Sequence, residues 1–177
     1  MIFLTVGTQF PFDRLVKAVD QAAGMNGFDD KIIAQVGDSS YRPNNFKAAR
    51  SVEKVVFDQL FTEADSIISH AGMGTITMAL DHRKPLLVMP RMKKYGEVVN
   101  DHQLAIAKKF EQLGYVLVAY NAEDVPAKMS QLESFVPQER RAFPDAVAAR
   151  ISKFLNELSQ SKNGFSKKMA GVEDEKN

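Results

Sequence analysis

Residues 67–77, I-I-S-H-A-G-M-G-T-I-T, restrict what this chain can fold into more than any other stretch. A short apolar run, Ile67-Ile68, ends at Ser69-His70. Gly72 and Gly74 follow, and then Thr75, Ile76, Met78, Ala79 and Leu80. The order is that of a buried strand, a tight glycine turn and a short helix. Glycine is needed where the backbone must turn left-handed, or where nothing can stand between the chain and a ligand. At a helix start, such a turn aims free N–H groups and the positive dipole end at one point, which suits a phosphate. A bare G-x-G serves equally well as a connection with no ligand. The next segment tips the balance. A second apolar run, residues 86–89, leads through Pro90-Arg91 into a polar loop with Tyr95-Gly96-Glu97. Asn100-Asp101-His102-Gln103 then place four hydrogen-bonding side chains in a row. Two such loops in succession point to a site.

The rest of the chain alternates in the same way. Residues 2–6 form an apolar strand broken by Gly7-Thr8-Gln9, and Phe12, Leu15, Val16, Val19 and Ala23 recur at helical spacing after Pro11, with Gly24 as the stop. Residues 31–36 predict a second strand, 41–50 a loop, 52–57 a third short strand and 59–63 a short helix carrying Leu60 and Phe61 inward. A helix from Glu97 to about Leu113 is expected to bury Val99, Ile106, Phe110 and Leu113, with Gly114 as its terminator. Gln103 falls on that apolar stripe, where a ligand explains it better than a core does. Residues 115–119 predict a sixth strand and 122–132 a helix. Pro144 opens another helix, with Val147, Ile151, Phe154, Leu155 and Leu158. From Ser159 onward the chain is polar and aperiodic, and a disordered tail is expected over 159–177.

Alternating strands and helices imply an α/β fold: one Rossmann-like domain over residues 1–158, with a parallel sheet of about six strands. Right-handed crossovers favour the strand order 3-2-1-4-5-6. Strands one and four are then neighbours where the winding reverses, and ligands of open α/β sheets bind beyond the carboxyl ends of strands at such a point. The turns at Gly7-Thr8 and at 72–75 follow those two strands. With 177 residues there is room for one core of good size. A net charge of +1 sets up no global field that would attract nucleic acid. Zero cysteines exclude disulfides, thiolate metal sites and a cysteine nucleophile. No apolar run approaches the roughly 20 residues that span a bilayer, and residues 1–7 read as a first strand, not a signal peptide.

Three motifs, taken in order, resemble a known family. They are T-V-G-T-Q-F-P-F-D-R-L-V at 5–16, I-S-H-A-G-M-G-T at 68–75 and M-P-R-M-K-K-Y-G-E-V-V-N-D-H-Q at 89–103. Together they resemble the C-terminal, nucleotide-sugar-binding half of GT-B glycosyltransferases of family 28. The likeness covers residues 1 to about 158. It is strongest to short proteins made of this half alone: donor-binding subunits of the split dolichol-pathway N-acetylglucosaminyltransferase and, nearer still, of bacterial exopolysaccharide and capsule glycosyltransferases. The resemblance implies the donor half of an inverting, metal-independent transferase that takes a UDP-sugar as substrate and needs no cofactor. By position, Gly72, Met73, Gly74 and Thr75, with Gly7 and Thr8 opposite, would hold the donor diphosphate, and His70 would lie against it. Asp101 and Gln103 would bond sugar hydroxyls, with Glu97 and Asn100 shaping that end. No catalytic base is visible; relatives draw it from the other half. A membrane-anchored partner would then supply base and acceptor site, for a lipid-linked or glycan acceptor in cell-surface glycan synthesis. The protein would be cytoplasmic, peripheral at the inner face of the plasma membrane. Many relatives carry a ribose-gripping Glu in the helix after the glycine turn; this chain has Met78, so that task falls to another residue.

Other polar groups have two readings each. His102 could act as a base or be a solvated helix residue. The run Arg91-Met92-Lys93-Lys94 is either a solvated loop or a contact for an anionic sugar, a diphosphate or an acidic membrane. It and the helix at 144–158 are candidate partner-contact surfaces. Asp29-Asp30 and Glu173-Asp174-Glu175 lack the strand-end setting of a metal site, and three scattered histidines have no ligand spacing, so no metal is expected. A dinucleotide oxidoreductase is disfavoured because the first turn lacks G-x-G-x-x-G. An epimerase of the same fold needs both halves in one chain. A non-catalytic nucleotide-sugar-binding regulatory module stays open.

Overall fold

In a computed structural model, residues 1–26, 31–139 and 152–153 are described. The chain divides into two units, Met1–Arg140 and Arg141–Asn177, and the sheet lies in the first. Of the helix expected over 144–158 only residues 152–153 are described, and both are helical and exposed; the tail from Ser159 and Asp29-Asp30 lie outside the described residues.

Six strands form one parallel sheet: β1 (Ile2–Thr5), β2 (Ile32–Gln35), β3 (Lys47–Ala49), β4 (Ser66–His70), β5 (Leu86–Met89) and β6 (Leu117–Val118). Their order is β3-β2-β1-β4-β5-β6, the one expected from handedness. A parallel sheet is covered on both faces, so its strands read as unbroken apolar runs. Alternate residues serve two cores. Ile2, Leu4, Ile68, Leu87 and Met89 face α1 (Asp13–Asn26) and α5 (Val125–Leu132). Phe3, Ile67, Leu86 and Val88 face α2 (Lys54–Glu63), α3 (Met73–Asp81) and α4 (His102–Gln112).

The third strand is not in the run 52–57, where it was expected. That run opens α2, whose inward residues Phe57, Leu60, Phe61 and Ala64 keep helical spacing while Val55 and Val56 face outward. The period of the burial over the wider segment decides for a helix. The strand lies inside the expected loop, at Lys47–Ala49, where all three residues are exposed. It has no side-chain pattern to read because backbone bonds hold it: Ala34 pairs with Ala48, and the Val36 and Gly37 N–H groups donate to Ala49 and Arg50 carbonyls (3.0 and 2.9 Å). A short exposed edge strand carrying a lysine resists pairing with other chains.

The helix expected from Glu97 begins only at His102. Gly96 is left-handed (φ 71°) and ends a 3-10 turn at Lys93–Tyr95. Asn100 and Asp101 then turn their side chains to nearby backbone N–H groups, which competes with helix. Val99 and Leu113, expected on the buried stripe, are exposed; Gln103 and Ala107 are buried, with Ile106 and Phe110 packed beside them.

Phe61 is fully buried, edge-on to Phe3 at 6.5 Å and stacked on Phe57 at 6.0 Å. Replacing it by alanine takes one ring out of this cluster on the α2–α4 face of the sheet and leaves Phe3 edge-on to Phe57. Phe61→Ala is expected to lower the free energy of unfolding by about 3–5 kcal/mol in urea titration.

Candidate functional site

The carboxyl ends of β1, β4 and β5 are level, because Thr5 is in register with Ser69 and His70 with Met89. Three connections leave from that edge: the β1–α1 turn with Gly7 and Thr8, the turn into α3, and the long loop from Pro90 to α4. His70 stands between the first two. A Cβ on Gly7 would meet the His70 ring at 3.0 Å, and one on Gly72 would lie 2.8 Å from its Cδ2 and nearer still to Nε2. Gly7 also needs its left-handed φ of 76°. The imidazole therefore spaces the two turns.

Its proton is placed by the neighbouring serine. The Ser69 hydroxyl donates to the Thr5 carbonyl at 2.6 Å, and Ser69 Oγ is 3.1 Å from His70 Nδ1. A hydroxyl has one proton, so Nδ1 must donate to Oγ, and Nε2 is left bare on the side of Gly72. Burial, and then the charge of Arg91, push the imidazole pKa down from 6.5 to about 4. His70 is thus neutral across ordinary pH.

Helix α3 starts at Met73 with Gly72 as N-cap, and no side chain caps it. The N–H groups of Met73, Gly74 and Thr75 are among those that lack partners inside the helix. A Cβ on Gly74 would meet nothing within 4 Å, in contrast to Gly72. One glycine is required by the protein's own packing, and the other leaves open space over the helix end. Together they form an uncapped, positively polarised turn at the winding reversal.

The four residues expected near a sugar all have partners in the protein. Glu97 makes a two-point ion pair with Arg14 (Nε–Oε1 and Nη2–Oε2, both 2.8 Å) and accepts from the Met92 N–H at 2.9 Å. Asn100 Oδ1 accepts from the His102 N–H at 3.2 Å. Asp101 Oδ1 accepts from the Lys93 N–H at 2.7 Å. Gln103 is buried, and its Oε1 accepts from the Arg91 N–H at 3.1 Å. These bonds fold the 91–101 loop onto the start of α4. Asn100 and Asp101 remain exposed, and a carboxylate holding one bond has lone pairs for more.

Arg14 and Arg91 are the residues that sequence reasoning missed or misplaced. Arg14 pairs with Glu97 across 83 positions and lies 4.5 Å from the Tyr95 ring centre; nothing local announces it. Arg91, grouped by sequence with a basic run, is buried, whereas Lys93 and Lys94 are exposed. His102 is exposed beside Asn100. Met78 is half-buried against the core on the α2–α4 face. Among the described residues, no three His, Asp or Glu side chains are grouped to hold a metal ion.

Residues 1–160 match the glycosyltransferase family 28 C-terminal domain. The chain belongs to this family. It is 34% identical over 91 residues to the UDP-N-acetylglucosamine transferase subunit ALG13 of Cryptococcus neoformans, covering 50% of this chain and 43% of that protein. It is 30% identical over 128 residues to the human protein of the same description, covering 65% of this chain and 10% of that one. The chain thus spans less than half the length of these relatives. Among solved structures, MurG of Acinetobacter baumannii superposes with a TM-score of 0.57 at 20% identity, covering 76% of this chain and 42% of that one. An NMR structure of ALG13 gives 0.55 at 24% identity, covering 77% and 87%. At such identities the likeness establishes the fold.

Two outcomes test this geometry. Gly72→Ala must displace the His70 ring, so it should destabilise the protein by about 1–3 kcal/mol. His70 itself links stability to pH. Above pH 6.5 it is neutral folded and unfolded; between 6.5 and about 4 the unfolded chain takes a proton that the folded state refuses. Its contribution to stability is therefore lost as pH falls through that window. Urea unfolding across pH should show a shallower decline between 6.5 and 4 in His70→Gln than in the unchanged protein.

Proposed function

We propose that this protein binds the donor of a UDP-sugar glycosyltransferase and contributes its donor half. One observation carries the reading: the uncapped start of α3 faces the β1–α1 turn at the β1/β4 switch point, with open space over Gly74. A diphosphate suits such a place, since backbone N–H groups and a helix dipole meet it without a metal. Family membership and relatives described as UDP-N-acetylglucosamine transferase subunits support a UDP-sugar. Gly7, Thr8, His70 and residues 72–75 would serve the diphosphate, and Glu97, Asn100, Asp101 and Gln103 the sugar end. Of these, Asp101 and Asn100 are exposed and would touch the sugar, while Glu97 and Gln103, bonded within the protein, would hold the loop that presents it.

In the reaction, an acceptor hydroxyl attacks the anomeric carbon in line, and UDP departs with its bond electrons, its charge stabilised at the α3 turn. The acceptor's proton goes to a base that we assign to a membrane-associated partner subunit, together with the acceptor site. The relatives described as subunits favour such a division. The acceptor would be lipid-linked or a glycan in exopolysaccharide or other cell-surface synthesis, and the protein would sit at the cytoplasmic face through its partner. Among the described residues, no helix is long and apolar enough to cross a membrane.

Calorimetry with UDP-, GDP- and ADP-sugars tests the reading; UDP-sugars should bind in EDTA as well as in Mg²⁺, and a strict need for Mg²⁺ would contradict the metal-free site. Gly74→Val should abolish UDP binding with no loss of thermal stability, because its side chain enters open space. Asp101→Ala should weaken the UDP-sugar by about 1–3 kcal/mol more than UDP. Turnover that appears only on adding the partner supports a catalytic half. Donor binding with no turnover in the reconstituted complex would favour a regulatory module.

A further inference from the structure

Arg91 follows β5 and is only 2% exposed, yet among the described residues it forms no ion pair with a carboxylate. Its Nη2 donates to the Val6 carbonyl at 2.7 Å and to the Phe10 carbonyl at 2.6 Å, and Cζ lies 4.8 Å from the Phe12 ring centre. Glu97 is near enough to favour its charge but is held at both oxygens by Arg14. Arg91 Nε is buried with no partner, the one such side-chain atom among the described residues. Burial accordingly lowers the guanidinium pKa to about 10, against the opposing effect of Glu97. Holding a charge on two carbonyls, with a donor unmet, is unfavourable for stability alone.

The two carbonyls explain the placement. Val6 and Phe10 bracket the turn that contains Gly7 and Thr8, so one guanidinium ties both ends of it. The same residue's N–H holds Gln103 at the start of α4. Its charge also acts on His70. The other groups about that ring are uncharged: Gly7 after β1, Ser69 on β4 and Gly72 before α3.

We propose that Arg91 is a positioning residue of the donor site, which sets the span of the β1–α1 turn opposite α3 and supplies a fixed buried positive charge for an anionic ligand. This rests on the donor-binding reading above. One nitrogen, Nη2, reaches both carbonyls while the guanidinium lies over the Phe12 ring; an ammonium keeps the charge but not the planar group that holds this placement. A charge in a dry site acts on an anion far more strongly than one in water.

The test uses the full chain with Arg91→Lys and Arg91→Met, read by NMR titration of His70 without ligand and by calorimetry with UDP. The His70 midpoint should stay low in Arg91→Lys and rise in Arg91→Met only part of the way toward the ordinary histidine value, because burial, the larger cause, remains. UDP affinity should fall about tenfold or more in both, and further in Arg91→Met. UDP affinity within twofold of the unchanged protein in both variants overturns the proposal. So does an unmoved His70 midpoint in Arg91→Met. Should Arg91→Met fail to fold, Arg91→Lys decides: lost affinity with an unmoved midpoint supports the role of the guanidinium's placement, and retained affinity overturns it. An unchanged protein that binds no UDP overturns the donor reading itself, and is thereby distinguished from failure of Arg91 alone.

Discussion

The spacing of the whole carboxyl edge depends on one ring. His70 ends β4, and its imidazole fills the gap between the turn after β1 and the turn into α3. Its orientation is fixed by a two-step relay through Ser69 to the Thr5 carbonyl, which ties β4 to β1 at the last register pair of the two strands. Because the relay demands a proton on Nδ1, the nitrogen beside Gly72 is bare. The protein thus presents uncapped N–H groups next to a neutral imidazole. An anion meeting this edge would find its positive potential in the helix end and, as proposed above, in Arg91.

The loop after β5 is built to the same end. Arg14 clamps Glu97, Gln103 takes the Arg91 N–H, and Asp101 takes the Lys93 N–H. Phe12 lies beneath both arginines, with their Cζ atoms 5.2 and 4.8 Å from its centre. One aromatic residue at the start of the first helix therefore seats two cations that reach to opposite loops. These contacts join segments far apart in sequence around the β1/β4 crevice, which is how a sheet edge becomes a rigid site.

Much of this was legible in the sequence. Apolar runs at β1, β2, β4 and β5 are continuous because parallel strands are buried on both faces, and strand order followed from handedness. Glycines at 7 and 72 were read as room for a diphosphate; the group that a Cβ would meet at both is His70. The edge strand was illegible, since Lys47, Ala48 and Ala49 are held by backbone bonds and carry no pattern. The α2 start misled because Val55 and Val56 are β-branched residues on an exposed helical face. Within the site, residue types were readable and their partners were not. Glu97 and Gln103 look like ligand groups until Arg14 and the Arg91 N–H, 83 and 12 positions away, are found beside them. Long-range pairing of this kind has no local signal.

Anion binding where the β1–α1 turn faces the α3 N-terminus is tested most directly by amide chemical-shift mapping with UDP. The largest shifts should fall on Gly7, Thr8, Met73, Gly74 and Thr75, with His70 moving in concert. Shifts confined to the groove of about 460 Å³ lined by Ala18, Met25 and Pro126, on the α1–α5 face, would contradict the donor site proposed at that edge.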